Sequence, residues 1–384
     1  MRHRCKGLAL RKKRKMKRIC VYCEKWSSGG IESFLFNTMT HINREDVIID
    51  IVAACVEEGV FTEKLRGCGI QFFELAGNRN HIVKNRKLFL ALARERSYDV
   101  IHVNAFHGGE FYYLYLAKRL GISVRIAHGH CAGLNSEKHA WLKKMVHEGA
   151  KRLFTRYATE LWACSRDAAA FMYPKARHSQ HNCRIIPNGI DIDRFRFQKE
   201  QRFNIRQKMD LNGQFVIGTV GRLCPEKNQI FLLDVFVELL KLHPNSKLLL
   251  VGDGPERKRL LQKAKELGID SNTIFYGSTE YVEQLLWAMD AFVFPSLVEG
   301  LGIAAIEAQA TGLPVLCSDA IPVETYILPT MRSMSLKEPA EQWAKLLADM
   351  LRNDEQRESC ADIVREKGYS ISYIAECIAT VYKK

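Results

Sequence analysis

Short runs of apolar, often β-branched residues alternate along the chain with segments in which apolar residues recur every three or four positions. The first pattern is typical of buried strands in a parallel sheet, and the second is typical of amphipathic helices. Segments such as Ile31–Ile42 and Glu110–Leu120 therefore predict helices. In the first half of the chain the apolar runs predict strands at Arg18–Cys23, Val47–Val56, Gln71–Leu75, Val100–Asn104, Val124–His128, Leu161–Cys164 and Arg184–Ile186.

The second half repeats this alternation. Helices are predicted at Asn228–His243 and Pro255–Leu267, and a strand pattern lies on either side of each. Alternating strands and helices are the signature of an α/β protein built on parallel sheets. The strands of this half are predicted at Phe215–Val220, Lys247–Val251, Thr273–Tyr276, Ala291–Phe294 and Pro314–Cys317.

A turn sequence, Pro187-Asn188-Gly189, separates the two series of strands. Because 384 residues exceed the usual size of one hydrophobic core, we predict two doubly wound, Rossmann-like domains that face each other across a cleft. A ligand is expected at the carboxyl ends of the strands, where the two sheets meet. The predicted units are a basic tail at 1–16, a first domain at 17–187, a hinge at 188–198, a second domain at 199–368 and a segment at 369–384 whose helix, Ser370–Tyr382, packs back on the first domain.

The net charge of +14 is concentrated at the amino terminus: residues 1–18 hold ten of the 57 Lys and Arg residues and no acidic residue. Such a tail attracts anionic phospholipid or nucleic acid, but it is equally typical of a solvated leader that precedes a true start at Met16. No long apolar stretch follows the charges before Trp26, which argues against a secretory signal. Twelve irregularly spaced cysteines indicate free thiols in a reducing cytoplasm, and no apolar run is long enough to span a bilayer.

The strongest motif begins where a predicted strand ends, at Phe294-Pro-Ser-Leu-Val-Glu299, and continues as Gly300-Leu301-Gly302-Ile303 into a helix that carries Glu307. The two glycines permit a close approach by a ligand, and the helix start offers unpaired N–H groups to an anion. Two carboxylates on either side of such a helix start can accept hydrogen bonds from two sets of sugar hydroxyls. Taken alone, the spacing also fits a helix cap and a surface residue.

A second motif, Gly221-Arg222-Leu-Cys-Pro-Glu-Lys227, lies between a predicted strand and a helix. Its two cations stand at the carboxyl end of the strand, where they can neutralise a departing diphosphate. Alone, this segment would be an ordinary basic loop about as often as a site.

In the first half, Ser27-Ser-Gly29-Gly30-Ile-Glu32 follows the first strand, and it lacks the spacing of a dinucleotide-binding loop. His128 and His130 follow another strand. No third ligand is evident near them, so a histidine that lines a sugar pocket is favoured over a metal site. Asp191-Ile-Asp193 fits a metal-binding spacing, but we interpret it as turn and cap chemistry in the hinge.

The segment 137–159 has a helical pattern in which aromatic and aliphatic residues are interleaved with Lys and Arg. A basic amphipathic helix can lie on an anionic membrane surface, although such helices more often pack on their own sheet. Because no recognisable reading module accompanies a basic patch, a nucleic-acid partner is not expected.

Together these motifs resemble the family 4 retaining glycosyltransferases of the GT-B fold, and within them the capsular and exopolysaccharide enzymes of the EpsF type. Further segments that carry the resemblance are Ile186-Pro-Asn-Gly-Ile-Asp191, Val251-Gly-Asp-Gly-Pro255 and Ile306-Glu-Ala-Gln-Ala-Thr-Gly-Leu-Pro314. The resemblance implies transfer from a nucleotide sugar, with a UDP-sugar favoured, to a glycan or lipid-linked acceptor, with no metal or other cofactor. The cysteines predict a cytoplasmic enzyme, and the charge pattern makes the segments 1–18 and 137–159 the candidates for contact with anionic lipid at the inner face of the plasma membrane.

The resemblance also implies a role for each matching residue. Glu299 would bind the transferred sugar, Glu307 the ribose, and Arg222 and Lys227 the diphosphate. His128 would line the reacting centre, with His130 as the alternative and as a candidate for acceptor binding. The other donor-binding positions would be Gly29, Gly30, Asp253, Gly254, Gly300, Leu301, Gly302 and Ile303.

Two alternatives remain open at this point. A UDP-sugar 2-epimerase shares the two-domain architecture and also binds a nucleotide diphosphate. A non-catalytic partner of another glycosyltransferase is the second, although a partner protein has no need of Arg222, Lys227, Glu299 and Glu307 together.

Overall fold

The structure, a computed structural model, describes residues 16–27, 29–133, 140–178, 183–352 and 357–384. Its first half forms one parallel sheet in the strand order β3-β2-β1-β4-β5-β6-β7. The strands are β1 Lys17–Trp26, β2 Val47–Val56, β3 Gln71–Glu74, β4 Val100–Ala105, β5 Val124–Gly129, β6 Glu160–Ala163 and β7 Arg184–Ile185. The helices between them are α1 Gly30–His41, α2 Val60–Gly67, α3 Ile82–Arg96, α4 Tyr112–Arg119, α5 Ala140–Phe154, α6 Arg166–Met172 and α7 Lys175–His178.

The second half forms another parallel sheet, in the strand order β10-β9-β8-β11-β12-β13. Its strands are β8 Phe215–Val220, β9 Ser246–Val251, β10 Thr273–Gly277, β11 Ala291–Phe294, β12 Val315–Ser318 and β13 Met331–Met334. The helices are α8 Lys199–Lys208, α9 Gln229–Leu242, α10 Arg257–Glu266, α11 Val282–Ala288, α12 Ile303–Ala310, α13 Ala340–Arg352, α14 Ala361–Val364 and α15 Ile371–Tyr382.

The prediction of an α/β protein with two Rossmann-like sheets is confirmed. Strand β13 was not predicted, because its sequence, Met331-Arg-Ser-Met334, contains no apolar run. It lies at the edge of the second sheet. The helix predicted over 137–159 is observed as α5, and a short 3-10 helix, Thr155–Tyr157, follows it. Residues 137–139 lie outside the described residues.

Helix α15 belongs in space to the first domain. Ile374, Ile378 and Tyr382 are buried in the same cluster as Ile19 of β1 and Ile51 of β2. Burial of side chains of this size stabilises a domain by roughly 1.5–3 kcal/mol each. The chain therefore passes between the domains twice, once after β7 and once before α15.

The two passages are bonded to each other. The N–H of Ile190 donates to the carbonyl of Tyr369 at 2.8 Å, and the N–H of Ile371 donates to the carbonyl of Ile190 at 2.9 Å. Asp193 lies here, and one of its carboxylate oxygens is 2.6 Å from the Arg365 guanidinium. Asp191 accepts a hydrogen bond from the N–H of Arg194 at 3.3 Å, so both acids take part in turn and ion-pair contacts.

Within the part of the chain that the structure describes, none of the helices is both long enough and apolar enough to cross a bilayer.

Candidate active site

The cleft between the two domains contains a cavity of about 400 Å³. The residues that line it follow the carboxyl ends of strands in both domains, as a ligand site in open parallel sheets requires. Lys25, Ser27 and Glu57 line it from the first domain, and Val220, Gly221, Arg222, Val251, Gly252, Asp253, Gly254, Ser278, Thr279 and Val282 line it from the second.

The basic turn after β8 is held in place by its own side chains. Gln229, at the start of α9, donates a hydrogen bond to the carbonyl of Arg222 at 3.0 Å. Residues Pro225–Lys227 form a short 3-10 helix, and Asn228 then takes a left-handed conformation (φ 54°) before α9 begins. As a result, the exposed Arg222 side chain stands at the cavity, while Lys227 turns toward the neighbouring loop after β11.

Lys227 joins the two motifs that the sequence suggested separately. Its Nζ lies 2.5 Å from Oε1 of Glu299 and 5.0 Å from the ring centroid of Phe294. The side chains of Lys227 and Glu299 are only 24% and 10% exposed, so solvent screens this pair less than it would screen a surface pair. The two motifs, which are 72 residues apart in the chain, are thus brought into contact through this ion pair.

The helix start between the two acids depends on glycine. Gly302 caps α12 with a φ of 83°, a conformation that side chains rarely adopt. Gly300 lies so close to the first domain that a Cβ atom would stand 2.2 Å from the carbonyl oxygen of His130. The Ser165 hydroxyl donates to the Gly300 carbonyl at 2.6 Å, which ties this loop to the first domain. Leu301 is buried, so its part in a donor site is limited to its backbone.

Glu307 lies in α12, beyond the helix start. Burial raises the pKa of this carboxyl to about 8, the positive charge of Arg194 opposes that rise, and the negative charge of Glu283 adds to it. Arg194, whose Nε donates to Glu283 at 2.8 Å, comes from the hinge and was not predicted as a site residue. Asp253 and Gly254 line the cavity as predicted donor residues should, and the N–H of Gly254 donates to the Asp253 carboxylate at 2.7 Å.

The glycine loop of the first domain leads into α1. Gly29 precedes the helix and Gly30 begins it. The carboxylate of Glu32 folds back beneath this loop: it is 4% exposed, and a Cβ atom on Gly29 would stand 2.4 Å from its Oε2. Burial raises the pKa of Glu32, and its hydrogen bonds from the N–H groups of Glu32, Ser27 and Gly29 oppose that rise.

His128, in β5, and His130, directly after this strand, lie at different depths. His128 is fully buried, and its Nδ1 is 3.1 Å from Nε2 of His102, whose Nδ1 is in turn 2.7 Å from the Tyr382 hydroxyl. His130 is 7% exposed, its carbonyl touches the Gly300 loop, and its Nε2 is 3.0 Å from the Asn104 amide oxygen. The role predicted for His128 stays a prediction, and the buried position of its ring favours His130 as the histidine at the cleft.

Burial lowers the pKa of His130 to about 3, so its ring is neutral near pH 7. Its Nδ1 is buried and has no hydrogen-bond partner within the described residues. A neutral imidazole with one unused nitrogen at a domain interface is available to a ligand hydroxyl.

A second group of polar side chains lies at the carboxyl edge of the first sheet and was not predicted from the sequence. Glu24, His107 and Glu110 bring one ligand atom each to within 4.8 Å of one another. Glu24 lies near the end of β1, and the other two follow the end of the neighbouring strand β4. The usable signal was their position near strand ends, but the 82 residues of chain between Glu24 and His107 hide their proximity.

Comparison with known proteins accounts for both halves of the chain. Residues 28–194 match the family described as Glycosyltransferase Family 4, and residues 201–367 match the family described as Glycosyl transferases group 1. The putative glycosyltransferase EpsF of Bacillus subtilis is 26% identical over 95% of this chain and 96% of its own. An Escherichia coli UDP-Gal:alpha-D-GlcNAc-diphosphoundecaprenol alpha-1,3-galactosyltransferase is 25% identical over 70% of this chain and 71% of its own.

The fold also matches solved structures. Anabaena HepE, crystallised in complex with UDP and glucose, superposes with a TM-score of 0.77 at 21% identity, over 95% of this chain and 98% of its own. WaaG, a glycosyltransferase involved in lipopolysaccharide biosynthesis, gives a TM-score of 0.72 at 19% identity, over 94% and 99% of the two chains. With two consecutive family matches, a relative that aligns along its whole length and this shared architecture, the chain belongs to the family 4 glycosyltransferases of the GT-B fold.

Proposed function

We propose that the protein transfers a hexose or an N-acetylhexosamine from a UDP-sugar to a glycan or lipid-linked acceptor, with retention of anomeric configuration, in the synthesis of a capsule or exopolysaccharide. The contact between Lys227 and Glu299 carries this proposal, because it sets a cation for a diphosphate beside a carboxylate for a sugar. The UDP bound by HepE and the UDP-galactose used by the E. coli relative support a uridine donor.

The donor-binding roles follow from charge and position. Arg222 and Lys227 neutralise the diphosphate, and the N–H groups at Gly302 and Ile303 bind it at the start of α12. Glu299 accepts hydrogen bonds from hydroxyls of the transferred sugar, and Glu307 accepts them from the ribose. Gly29, Gly30, Asp253 and Gly254 complete the donor site from the two sides of the cavity.

The reaction exchanges one glycosidic bond for another. The bond from the anomeric carbon to the diphosphate oxygen breaks, and a bond from the same carbon to the acceptor oxygen forms on the same face. The acceptor proton passes to the departing phosphate oxygen. Arg222 and Lys227 stabilise the charge that develops on the diphosphate, which is the principal source of rate enhancement in such a step.

His130 is proposed as the histidine that contacts the donor sugar or the acceptor, with His128 behind it. The contact of the His130 carbonyl with the Gly300 loop supports this choice. The ring nitrogens do not distinguish the two residues, since neither Nδ1 of His130 nor Nε2 of His128 has a hydrogen-bond partner within the described residues. Replacement of His130 by Ala should lower the rate of transfer more than replacement of His128 by Asn. The reverse order would assign the role to His128.

A panel of UDP-glucose, UDP-galactose, UDP-N-acetylglucosamine and GDP-mannose tests the donor. We expect one UDP-sugar to raise the melting temperature and to release UDP slowly in water. NMR of the transfer product should show the anomeric configuration of the donor. Formation of an epimerised nucleotide sugar without an acceptor, or no turnover of any donor, would refute the proposal in favour of the epimerase or the non-catalytic partner.

We also propose that transfer needs no metal ion, because two cationic side chains stand where a divalent cation would otherwise neutralise the diphosphate. The rate with EDTA should equal the rate with added Mg²⁺ or Mn²⁺. Loss of activity in EDTA that Mn²⁺ restores would overturn this part of the proposal.

Helix α5 supports a membrane contact on the inner face of the plasma membrane. Trp141 is 70% exposed, and Leu142, Met145 and Val146 are exposed as well, with exposed lysines between them. The face turned to the protein carries polar residues instead: His147 accepts a hydrogen bond from the N–H of Gly108 at 3.0 Å. An outward apolar face with lysines is typical of a helix that lies on anionic lipid. The basic tail, residues 1–15, lies outside the described residues.

Sedimentation with vesicles tests this contact. The wild type should bind vesicles that contain phosphatidylglycerol, bind phosphatidylcholine vesicles weakly, and lose binding as salt rises. Trp141→Ser with Met145→Ser should reduce binding several-fold, and the matched change Leu242→Ser, at an exposed site on α9, should not. Equal binding by both variants would remove α5 from the proposal.

A further inference from the structure

The first-domain side of the cleft holds a polar cluster that the donor site does not use: Glu24, His107 and Glu110. Nε2 of His107 lies 3.4 Å from Oε1 of Glu110 and 3.8 Å from Oε1 of Glu24. Arg79 approaches from the outside, with Nη1 3.5 Å from Oε2 of Glu24. The cluster thus contains hydrogen-bond acceptors and donors within a few ångströms of each other.

Glu110 points to a ligand because half of its carboxylate is unused. Its side chain is 3% exposed, and Oε2 accepts a hydrogen bond from the N–H of Phe106 at 3.0 Å. Oε1, which faces the cluster, is buried and has no hydrogen-bond partner in the described residues. A buried carboxylate oxygen without a partner is costly, so it is expected to meet one from a ligand.

The cluster is open to solvent on one side and closed on the other. The side chains of Glu24 and His107 are 25% and 40% exposed, whereas that of Glu110 is almost fully buried. Burial raises the pKa of Glu110 well above its usual range, the charge of Glu24 adds to this, and the N–H of Phe106 and Arg79 oppose it. A ligand therefore enters past His107 and Glu24 and meets Glu110 at the bottom.

The loop that begins at Cys131 connects the cluster to the donor site. Burial raises the pKa of the Cys131 thiol, and the negative charges of Glu110 and of Glu299 both add to the rise, so the thiol lies near a carboxylate of each domain. A Cβ atom on Gly133, in the same loop, would stand 3.2 Å from a methyl group of Val298. The loop of the first domain that begins at Cys131 thus packs against the segment of the second domain that carries Glu299.

On the basis of the proposed function, we infer that Glu24, His107 and Glu110 bind adjacent hydroxyl groups of the sugar acceptor. Neutral hydroxyls both donate and accept, and they match a group of carboxylates, imidazole and guanidinium. A divalent cation is a poorer match, because the Arg79 guanidinium already stands against Glu24. The cluster also adjoins α5, since the Gly108 N–H that begins its short helix donates to His147 of α5.

Steady-state kinetics with separate donor and acceptor measurements tests this inference. The donor is the nucleotide sugar that the panel selects, and the acceptors are short alkyl glycosides of glucose, galactose, mannose and N-acetylglucosamine. Glu110→Gln and Glu24→Gln should each raise the KM for the best acceptor about tenfold to a hundredfold. The donor KM and the rate of donor hydrolysis in water should stay within about twofold, because neither residue contacts the donor.

The matched control is Glu95→Gln, which removes an exposed carboxylate from α3. Because Glu110 is buried, the melting temperature of Glu110→Gln is compared with that of the wild type. Glu24→Gln changes a partly exposed site, so it tests the inference independently if Glu110→Gln does not fold. Two results would overturn the inference and leave the proposed function intact. One is an acceptor KM that does not change in Glu24→Gln. The other is a wild type that hydrolyses the donor but transfers sugar to none of these glycosides. Absence of donor turnover by the wild type would instead refute the proposed function.

Calorimetry with MnCl₂ alone separates hydroxyl recognition from a cation site. We expect no saturable binding by the wild type. Saturable Mn²⁺ binding that Glu110→Gln abolishes would assign the cluster to a cation and overturn the inference.

Discussion

The two walls of the cleft are built in different ways. The wall of the second domain uses contiguous segments, in which a strand end, a glycine and a helix start carry Arg222, Lys227 and Glu299 within short stretches. The wall of the first domain gathers Glu24, His107 and Glu110 from two strand ends that are distant along the chain. The second-domain wall offers a ligand backbone N–H groups and fixed cations, whereas the cluster in the first-domain wall offers side chains alone.

This difference explains which half of an enzyme can change its substrate. A backbone site tolerates many side chains around it, but it fixes the shape of the ligand, as a shared nucleotide diphosphate requires. A site made of three separate side chains can be altered by one substitution without disturbing the fold. We therefore expect substitutions of Arg222, Lys227 and Glu299 to affect every reaction of the protein, and substitutions of Glu24, His107 and Glu110 to affect the acceptor.

The largest effect is expected for the cations of the donor wall. Arg222→Ala and Lys227→Ala should each reduce kcat for transfer and for donor hydrolysis about 10²- to 10³-fold, because each removes charge stabilisation from the departing diphosphate. Lys258→Ala, at an exposed position on α10, is the control in the same kinetic assay. If the variant that carries both Arg222→Ala and Lys227→Ala keeps the full rate of transfer, the proposed difference between the two walls is wrong.

A smaller loss is expected where the walls touch. Gly300→Ala places a Cβ atom 2.2 Å from the His130 carbonyl, so the loop must withdraw from the first domain. We expect kcat to fall about tenfold to a hundredfold, since displacing a reacting group by about an ångström has an effect of this size. Gly67→Ala, at the end of α2 where a Cβ atom has open space, should leave kcat unchanged. Equal rates for the two variants would mean that the contact is not used in turnover.

The affinity for UDP is expected to change about tenfold with pH, because Glu307 is proposed to bind the ribose. Burial raises the pKa of Glu307 to about 8, and only the ionised carboxylate accepts hydrogen bonds from both ribose hydroxyls. The affinity for UDP should therefore rise from pH 6.5 to pH 9 by about tenfold and then level off, as the carboxyl loses its proton. Calorimetric titrations of Glu307→Gln should show a flat profile, whereas those of Glu266→Gln, exposed at the end of α10, should follow the wild type. A rise preserved in Glu307→Gln would assign the titration to another group.

The smallest effect on kcat is expected for a substitution in the interior of the first domain. Tyr382→Phe removes the hydroxyl that lies 2.7 Å from His102 and leaves a buried ring nitrogen without its partner. The free energy of unfolding should fall by about 1–3 kcal/mol, as measured by urea denaturation, with kcat within about twofold of the wild type. Tyr281→Phe, at a 61% exposed site, should change neither quantity. A large fall in kcat at unchanged stability would place the His102–His128 pair in the reaction.

Sequence reasoning was most successful where structure is local. The strand ends, the turn at Arg222 and the helix start at Gly302 follow from neighbouring residues, and the predicted donor wall is built from them. The depth difference between His128 and His130 was not predictable, because both belong to one strand pattern and only packing against His102 and the Gly300 loop separates them.

The cluster of Glu24, His107 and Glu110 likewise could not be predicted from the sequence, because the proximity of these residues depends on which strands are neighbours in the sheet. Adjacent pairing of β1 and β4, with Cys23 opposite Asn104, brings the three residues together. An alternation of strands and helices predicts parallel sheets, but it does not give the order of the strands within them.

The return of α15 to the first domain has a consequence for the synthesis of the protein. One face of the second sheet is covered by Ile217, Leu248 and Trp343, all of which are made before residue 350. The cluster on its other face also includes Ala361 and Val364 of α14. The cluster beneath β1 and β2 needs Ile374, Ile378 and Tyr382 and stays incomplete until those residues have been made. The domain whose strands are translated first therefore completes its core only when α15, the last helix described, has been made.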